Sequence, residues 1–202
     1  RERMGNIAIR NLKASMDAFF TMNEREIQEV YETEDQINLL NHAITDYLVK
    51  VNQTTIPTDD KKSIGGLFHV VNDIERIGDH AENVADAAKQ RMENKVEFSP
   101  QAKRELNEML DMVVKITTYA LDMFSHNNQE HMQEILDLED RIDRMERELQ
   151  ESHIQRLTRN ECTASAGMMF SDILSGLERV ADHATNIAFS LTDEEGQDFA
   201  KK

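Results

Sequence analysis

The strongest constraint on this chain is a phrase of eleven residues that it contains twice. The first copy runs Glu75-Arg76-Ile77-Gly78-Asp79-His80-Ala81-Glu82-Asn83-Val84-Ala85. The second runs Glu178-Arg179-Val180-Ala181-Asp182-His183-Ala184-Thr185-Asn186-Ile187-Ala188, 103 residues later, with seven of the eleven positions identical. Each copy sets a Glu and an Asp four residues apart. On a helix both carboxylates then share one face, about one turn from each other. Two such faces in two halves of one chain point to a duplicated cation-binding surface.

The rest of the sequence is written for helices. Aromatic residues make up 5%, Trp is absent, and Gly and Pro number only seven and two. Glu, Lys, Leu, Ala, Met and Arg are plentiful, which favours helix over strand. Apolar spacing predicts six helices over residues 2–22, 24–52, 58–91, 100–125, 129–157 and 161–191. Asn23 with Glu26 reads as a capping box. Pro57 ends the second helix, with Thr58 the expected cap of the third. Ser99-Pro100 is a start signal for the fourth. Gly65, Gly66 and Gly78 are expected where helices approach closely, and Gly65-Gly66 is also a candidate bend. Asp17-Ala18-Phe19 and Asp122-Met123-Phe124 match at an offset of 105, as do Asn23 and Asn128. The expectation is an all-α fold of two tandem antiparallel three-helix bundles, residues 1–92 and 99–191, with a flexible acidic tail over 192–202.

The second and fifth helices carry a shared irregularity. One seam reads Ile27, Val30, Glu34, Ile37, Asn41, Ile44, Leu48, Val51, and the other Met132, Ile135, Glu139, Ile142, Glu146, Leu149, His153. The polar intrusions Glu34 and Asn41 recur as Glu139 and Glu146 at the same offset of 105. A carboxylate in an apolar seam is costly unless compensated. A cation, an Arg or exposure at a groove must supply the compensation. On the third helix, Glu75, Asp79, Glu82 and Asp86 form an acidic stripe that repels itself unless something positive lies among them.

The formal net charge is −16, which disfavours nucleic acid and anionic lipid as partners. Cys162 is the single cysteine, so neither an intramolecular disulfide nor a Cys-type zinc site can be built. No apolar run approaches the roughly 20 residues that cross a bilayer. The chain opens helix-like at Arg1-Glu2-Arg3-Met4, which reads as a piece of a longer protein. No P-loop, HExxH, CxxC or nucleophile elbow is present, and no His lies three residues after a Glu. The last absence argues against a ferritin-like di-iron oxidase.

The helical E-R-x-x-D-H phrase, repeated about a hundred residues apart, resembles the PhoU family. That resemblance implies two three-helix repeats, metal bound at E(D)xxxD motifs, and a role in controlling phosphate uptake. The positions that match the motif are Glu75 and Asp79, Glu178 and Asp182, and Glu139 and Asp143. The first half departs from the pattern at Glu34-Asp35-Gln36-Ile37-Asn38, leaving Glu34 and Asp35 as its candidates. Arg76, Arg179, His80 and His183 are expected to support the metal or contact phosphate. Neutralisation of the acidic stripes by the Arg residues, and simple packing of the His residues, stand as alternatives. Iron, Mn, Mg, Ni and Zn are all admissible metals. Within the family, Ile74-Glu75-Arg76-Ile77-Gly78-Asp79-His80-Ala81-Glu82-Asn83 and the opening Arg3-Met4-Gly5 are similar to the C-terminal part of bacterial sodium/phosphate cotransporters. The function implied is a non-enzymatic, metal-binding regulatory domain at the cytoplasmic face of the plasma membrane. Its partner is a transmembrane phosphate transporter, in the same polypeptide or a separate one, with a homodimer also compatible. The alternatives are a freestanding cytoplasmic regulator of an ABC phosphate transporter and its histidine kinase, a helical adaptor without metal, and a metal-dependent hydrolase.

Overall fold

The computed structural model describes residues 2–191, which form six α-helices and no strand. They are α1 (Glu2–Thr21), α2 (Glu24–Asn52), α3 (Thr58–Asn94), α4 (Pro100–His126), α5 (Met132–Thr158) and α6 (Ala164–Phe189). The expected tail over 192–202 lies outside the described residues.

Local chemistry sets the helix ends, with some departures from expectation. Asn23 accepts from the Arg25 and Glu26 N–H groups at 3.0 and 3.3 Å, as a helix cap should. The reciprocal half of the box is relayed instead of direct. The Asn23 N–H donates to the Thr21 hydroxyl at 3.3 Å, and that hydroxyl donates to Glu26 at 2.6 Å. Ser99 caps α4 through the Ala102 N–H at 3.1 Å, with Pro100 in the first turn. Thr58 does not cap α3: Pro57 holds the cap position, no side chain bonds there, and Thr58 is already helical. Asp59 and Asp60 place negative charge in that first turn, where the helix dipole favours it. Residues 161–163 are not helical, because Thr163 caps α6 by accepting from the Ala166 N–H at 3.1 Å. Residues 129–131 likewise precede α5 as a turn, in which Asn128 accepts from the Glu130 N–H at 3.2 Å.

Within each half every helix packs on the other two: α1, α2 and α3 together, and α4, α5 and α6 together. Contacts of α3 with α6, and of α1 with α4, join the halves. The core is continuous across that junction, taking Phe19, Ile77 and Ala81 from one side and Phe170, Val180 and Ala184 from the other. Gly5 permits the α1–α4 approach, since a methyl there would meet the Leu121 side chain at 2.6 Å. Gly65 and Gly66 do not mark a close approach: an added methyl at either finds nothing within 4 Å, and α3 runs through both. The junction places the two copies of the repeated phrase, on α3 and α6, beside each other.

A buried cation ties down the first half. Arg91 is 3% exposed and donates to the Phe19 and Phe20 carbonyls at 2.7 and 3.2 Å and to the Val96 carbonyl at 2.9 Å. It satisfies acceptors left over at the end of α1 while its guanidinium lies over the Phe19 and Phe98 rings.

Candidate functional site

The seam carboxylate of α2 is buried without a partner. Glu34 is 2% exposed, and neither of its oxygens accepts a hydrogen bond. It fits because Gly78 faces it from α3, where a methyl would lie 2.6 Å from Oε2. Asp79, the residue after Gly78, and Glu82, one turn further along α3, complete a group with Glu34 whose carboxylate oxygens lie within 4.8 Å of one another. Burial, and after it the charges of Asp79, Glu82, Glu75 and Asp35, push the Glu34 carboxyl up to about 8. Burial raises both Glu75 and Asp79 above the ordinary carboxylate range, and the charge of Asp79 adds to the rise of Glu75. Such a cluster is under electrostatic stress that a cation would relieve.

A second cluster joins α5 to α6. Asp143, Glu178 and Asp182 present oxygens within 4.8 Å of one another. Burial first, and then Asp182, Asp143 and Glu146, push Glu178 up to about 7. Glu139 is raised by burial and by Asp143, Asp182 and Asp140. Asp182 is raised by burial and by Asp143, against the opposing pull of His183 and Arg179.

The structure thus brings together Glu34 and Asp79 in one cluster, and Asp143, Glu178 and Asp182 in the other. Glu75 and Glu139 lie beside the clusters rather than among the converging oxygens, and Asp35 is exposed at the edge of the first. Glu82 is a member that motif matching missed. The signal for it was present in the acidic stripe on α3. Arg76 and Arg179 do not neutralise the stripes by contact: among the described residues neither forms an ion pair or hydrogen bond with a carboxylate. They hold down Glu75, Asp79, Glu178 and Asp182 only at a distance, and burial outweighs them in all four.

Between the clusters, at the α3–α6 junction, lies a cleft of about 370 Å³. Arg76, Asp79, His80 and Asn83 line it from one copy of the phrase, and Arg179, Asp182 and His183 from the other. The His80 and His183 ring centroids are 6.0 Å apart. His183 Nδ1 donates to Asp73 at 3.0 Å. His80 has no carboxylate in that role, because the residue equivalent to Asp73 is Gly176. Burial first, then the neighbouring His183 and Arg179, press the His80 imidazole down to about 4. It is neutral at ordinary pH.

Comparison with known proteins gives a consistent answer. A family model described as the PhoU domain matches residues 2–88 and 106–191. The chain is 27% identical over 178 residues to the phosphate-specific transport system accessory protein PhoU homolog 1 of Thermotoga maritima, covering 88% of this chain and 76% of that protein. It is 27% identical over 186 residues to the PhoU homolog of Pseudomonas aeruginosa, covering 92% and 76%. The crystal structure of PhoU from Pseudomonas aeruginosa superposes with a TM-score of 0.87 at 26% identity, covering 96% of this chain and 93% of that one. The phosphate transport system regulatory protein PhoU from Streptococcus pneumoniae shares the fold, with a TM-score of 0.81 at 19% identity over 95% and 89%.

Proposed function

The chain belongs to the PhoU domain family, and we propose that it is a non-enzymatic, cation-binding regulator of a phosphate transport system. The observation that carries the cation part is Glu34, a carboxylate 2% exposed, without a hydrogen-bond partner and with two more carboxylates converging on it. A buried unpaired charge is among the most costly arrangements a fold can hold. Both donor sets contain oxygen only, which suits Mg, Mn or Fe better than Zn or Ni. Glu34, Asp79 and Glu82 would hold one ion, and Asp143, Glu178 and Asp182 the other. A cation held there would supply positive charge among the acidic side chains. The chain's own residues then determine what that charge does. Glu34 ties α2 to α3, and Asp143 ties α5 to α6, so occupancy stiffens each bundle across its hairpin.

The relatives named above are accessory proteins of phosphate-specific transport systems. This favours a separate cytoplasmic polypeptide acting on an ABC phosphate transporter and its histidine kinase. The domain of a sodium/phosphate cotransporter, similar in its signature and its Arg3-Met4-Gly5 opening, stands second. Among the described residues no helix is long and apolar enough to cross a membrane. In either setting the partner is the membrane transporter, engaged by a folded surface whose rigidity depends on bound cation.

Calorimetric titration of Mn²⁺ and Mg²⁺ into chelator-treated protein tests the cation reading. Two sites are expected, one lost in Glu34→Ala and the other in the double change Glu178→Ala plus Asp182→Ala. Equal binding by the wild-type chain and a variant carrying all three changes overturns it and leaves the helical adaptor. Capture of the transporter's cytoplasmic components by the cation-loaded chain, weakened by chelator, tests the regulatory part.

A further inference from the structure

The turn between α4 and α5 is built around two histidines and a carboxylate. α4 ends at His126, Asn127 is left-handed with φ 50°, and the chain doubles back to enter α5 after His131. Asp122, one turn before the end of α4, meets both rings: its Oδ1 lies 3.2 Å from His126 Nδ1, and its Oδ2 lies 3.4 Å from His131 Nε2. Glu134 stands beside the other nitrogen of His131, 3.9 Å from Nδ1. We infer that this turn is a binding site for a zinc-class divalent ion, held by His126, His131 and Asp122 and separate from both carboxylate clusters.

The first half closes the same turn without histidine. At an offset of 105, Asp17 corresponds to Asp122, but Thr21 stands in place of His126 and Glu26 in place of His131. Thr21 donates to Glu26 at 2.6 Å, and Asn23 caps α2. α5 has no side-chain cap, so the second half forgoes a contact that steadies a helix start. It also carries Tyr119 where the first half has Ala14, and the Tyr119 and His131 rings stack at 4.4 Å with 16° between their planes. The stack holds the His131 ring with Nε2 towards Asp122. Its Nδ1 is buried without a hydrogen-bond partner, an arrangement that folded proteins seldom keep without a reason.

Coordination accounts for these features together. Three protein ligands drawn from histidine and carboxylate, with a fourth position left for water, make a common zinc site. At metal–ligand distances of about 2.0–2.1 Å, neighbouring ligand atoms of a tetrahedral ion stand about 3.3 Å apart. Asp122 already keeps that spacing from both rings. His126 is the more exposed ring and has room to close the set. With Nε2 on the ion, the His131 ring proton sits on Nδ1 and faces Glu134, the kind of carboxylate partner that coordinated histidines have. Imidazole favours Zn²⁺ over Mg²⁺, the reverse of the oxygen-only clusters. A bound ion would tie the end of α4 to the start of α5, as the Thr21–Glu26 bond ties α1 to α2.

Calorimetric titration of Zn²⁺ into the full chain, chelator-treated and then held in excess Mg²⁺, tests this. The double change His126→Gln plus His131→Gln should weaken one zinc site by at least about tenfold, while Mg²⁺ binding and the helical circular dichroism signal stay as in the wild type. Glu134→Gln should weaken the same site by about tenfold. A chain carrying Glu34→Ala, Glu178→Ala and Asp182→Ala should retain it. Equal zinc binding by the double-histidine variant and the wild type overturns the proposal. So does loss of this site in the triple variant with its circular dichroism signal unchanged. A wild-type chain that binds zinc at this turn but no Mg²⁺ upholds the proposal and counts against the cation reading of the clusters alone.

Discussion

The two carboxylate clusters are built from equivalent helices and are not copies of each other. Where α5 contributes Asp143, α2 has Asn38 and contributes Glu34 instead, and where α6 contributes Glu178, the converging oxygen on α3 comes from Glu82. The position equivalent to Glu82 is Thr185, whose hydroxyl is turned inward and donates to the Ala181 carbonyl at 2.9 Å. The depth also differs. Gly78 lets Glu34 sink to 2% exposure, whereas its counterpart Ala181 carries a methyl and Glu139 stays half-buried. Duplication has preserved three converging carboxylates in each half, one from the middle helix and two from the last, without preserving which positions supply them. The deeper cluster depends more on a cation, because water cannot reach its central carboxylate.

The sharpest way to break that contrast is Glu34→Leu. Replacing a buried, unpartnered carboxylate by an apolar side chain of similar size should stabilise the chelator-treated protein by about 1–4 kcal/mol at pH 8. Urea denaturation measures this, and the counterpart change Glu139→Leu should give much less. The same contrast has a pH signature. The folded Glu34 carboxyl is raised to about 8 from the ordinary 4.5 by burial and by Asp79, Glu82, Glu75 and Asp35. Between those values the folded state binds more protons than the unfolded one, so stability falls as pH rises through the window. Thermal melts in chelator between pH 5.5 and 8.5 should show that fall. Mg²⁺ should flatten it, and Glu34→Gln should remove most of it. A metal-free protein equally stable at both ends would mean that Glu34 is not under the stress its burial implies.

Much of this is legible in the sequence alone. The repeated phrase fixed the two-halves architecture, and Glu34 announced itself as a polar residue on an apolar seam, recurring as Glu139. Those signals survive because helical periodicity converts spacing directly into facing. Glu82 was harder to see, because it belongs to no ExxxD pair. It joins the site only through the rotation of α3 against α2, which three-dimensional packing determines. Thr163 was missed as a cap because the large apolar side chains of α6 begin only at Met168, Met169 and Phe170, well inside the helix, and leave its start unmarked. Gly65 and Gly66 misled because glycine's helix cost suggests a packing reason, and here an added methyl would meet open space. The cleft between Arg76 and Arg179 required the α3–α6 junction, which no single helix pattern encodes.

A smaller effect should come from exchanging the residues that set the depth. Gly78→Ala places a methyl against the end of the Glu34 side chain, which is flexible enough to move aside. The helix gains up to about 1 kcal/mol in propensity, so overall stability should change little. The first cation site, however, should weaken by about tenfold as Glu34 is displaced. Ala181→Gly in the second half gives the reciprocal test: it should cost about 1 kcal/mol of helix stability while giving Glu139 room to sink, so the second cation site should strengthen. Calorimetry on each variant separates the two effects. If Gly78→Ala binds the first ion as well as the wild type, depth and cation affinity are unrelated.

The smallest change tests whether the clusters count charges or positions. Asn38→Asp restores on α2 the carboxylate that α5 has at Asp143. If total charge at the site governs, the variant becomes a four-carboxylate cluster. Its affinity for Mg²⁺ should then rise a few-fold, and the chelator-treated protein should lose less than about 1 kcal/mol to added repulsion. Combining Asn38→Asp with Glu82→Thr then gives the first half the second half's residues at those two positions, with the acid moved from α3 to α2. Affinity should return to near the wild-type value if three carboxylates suffice whichever positions supply them. A combined variant that binds no better than Glu82→Thr alone would show that Glu82 holds the ion from a position α2 cannot reach, and the two halves would then be different sites rather than two versions of one.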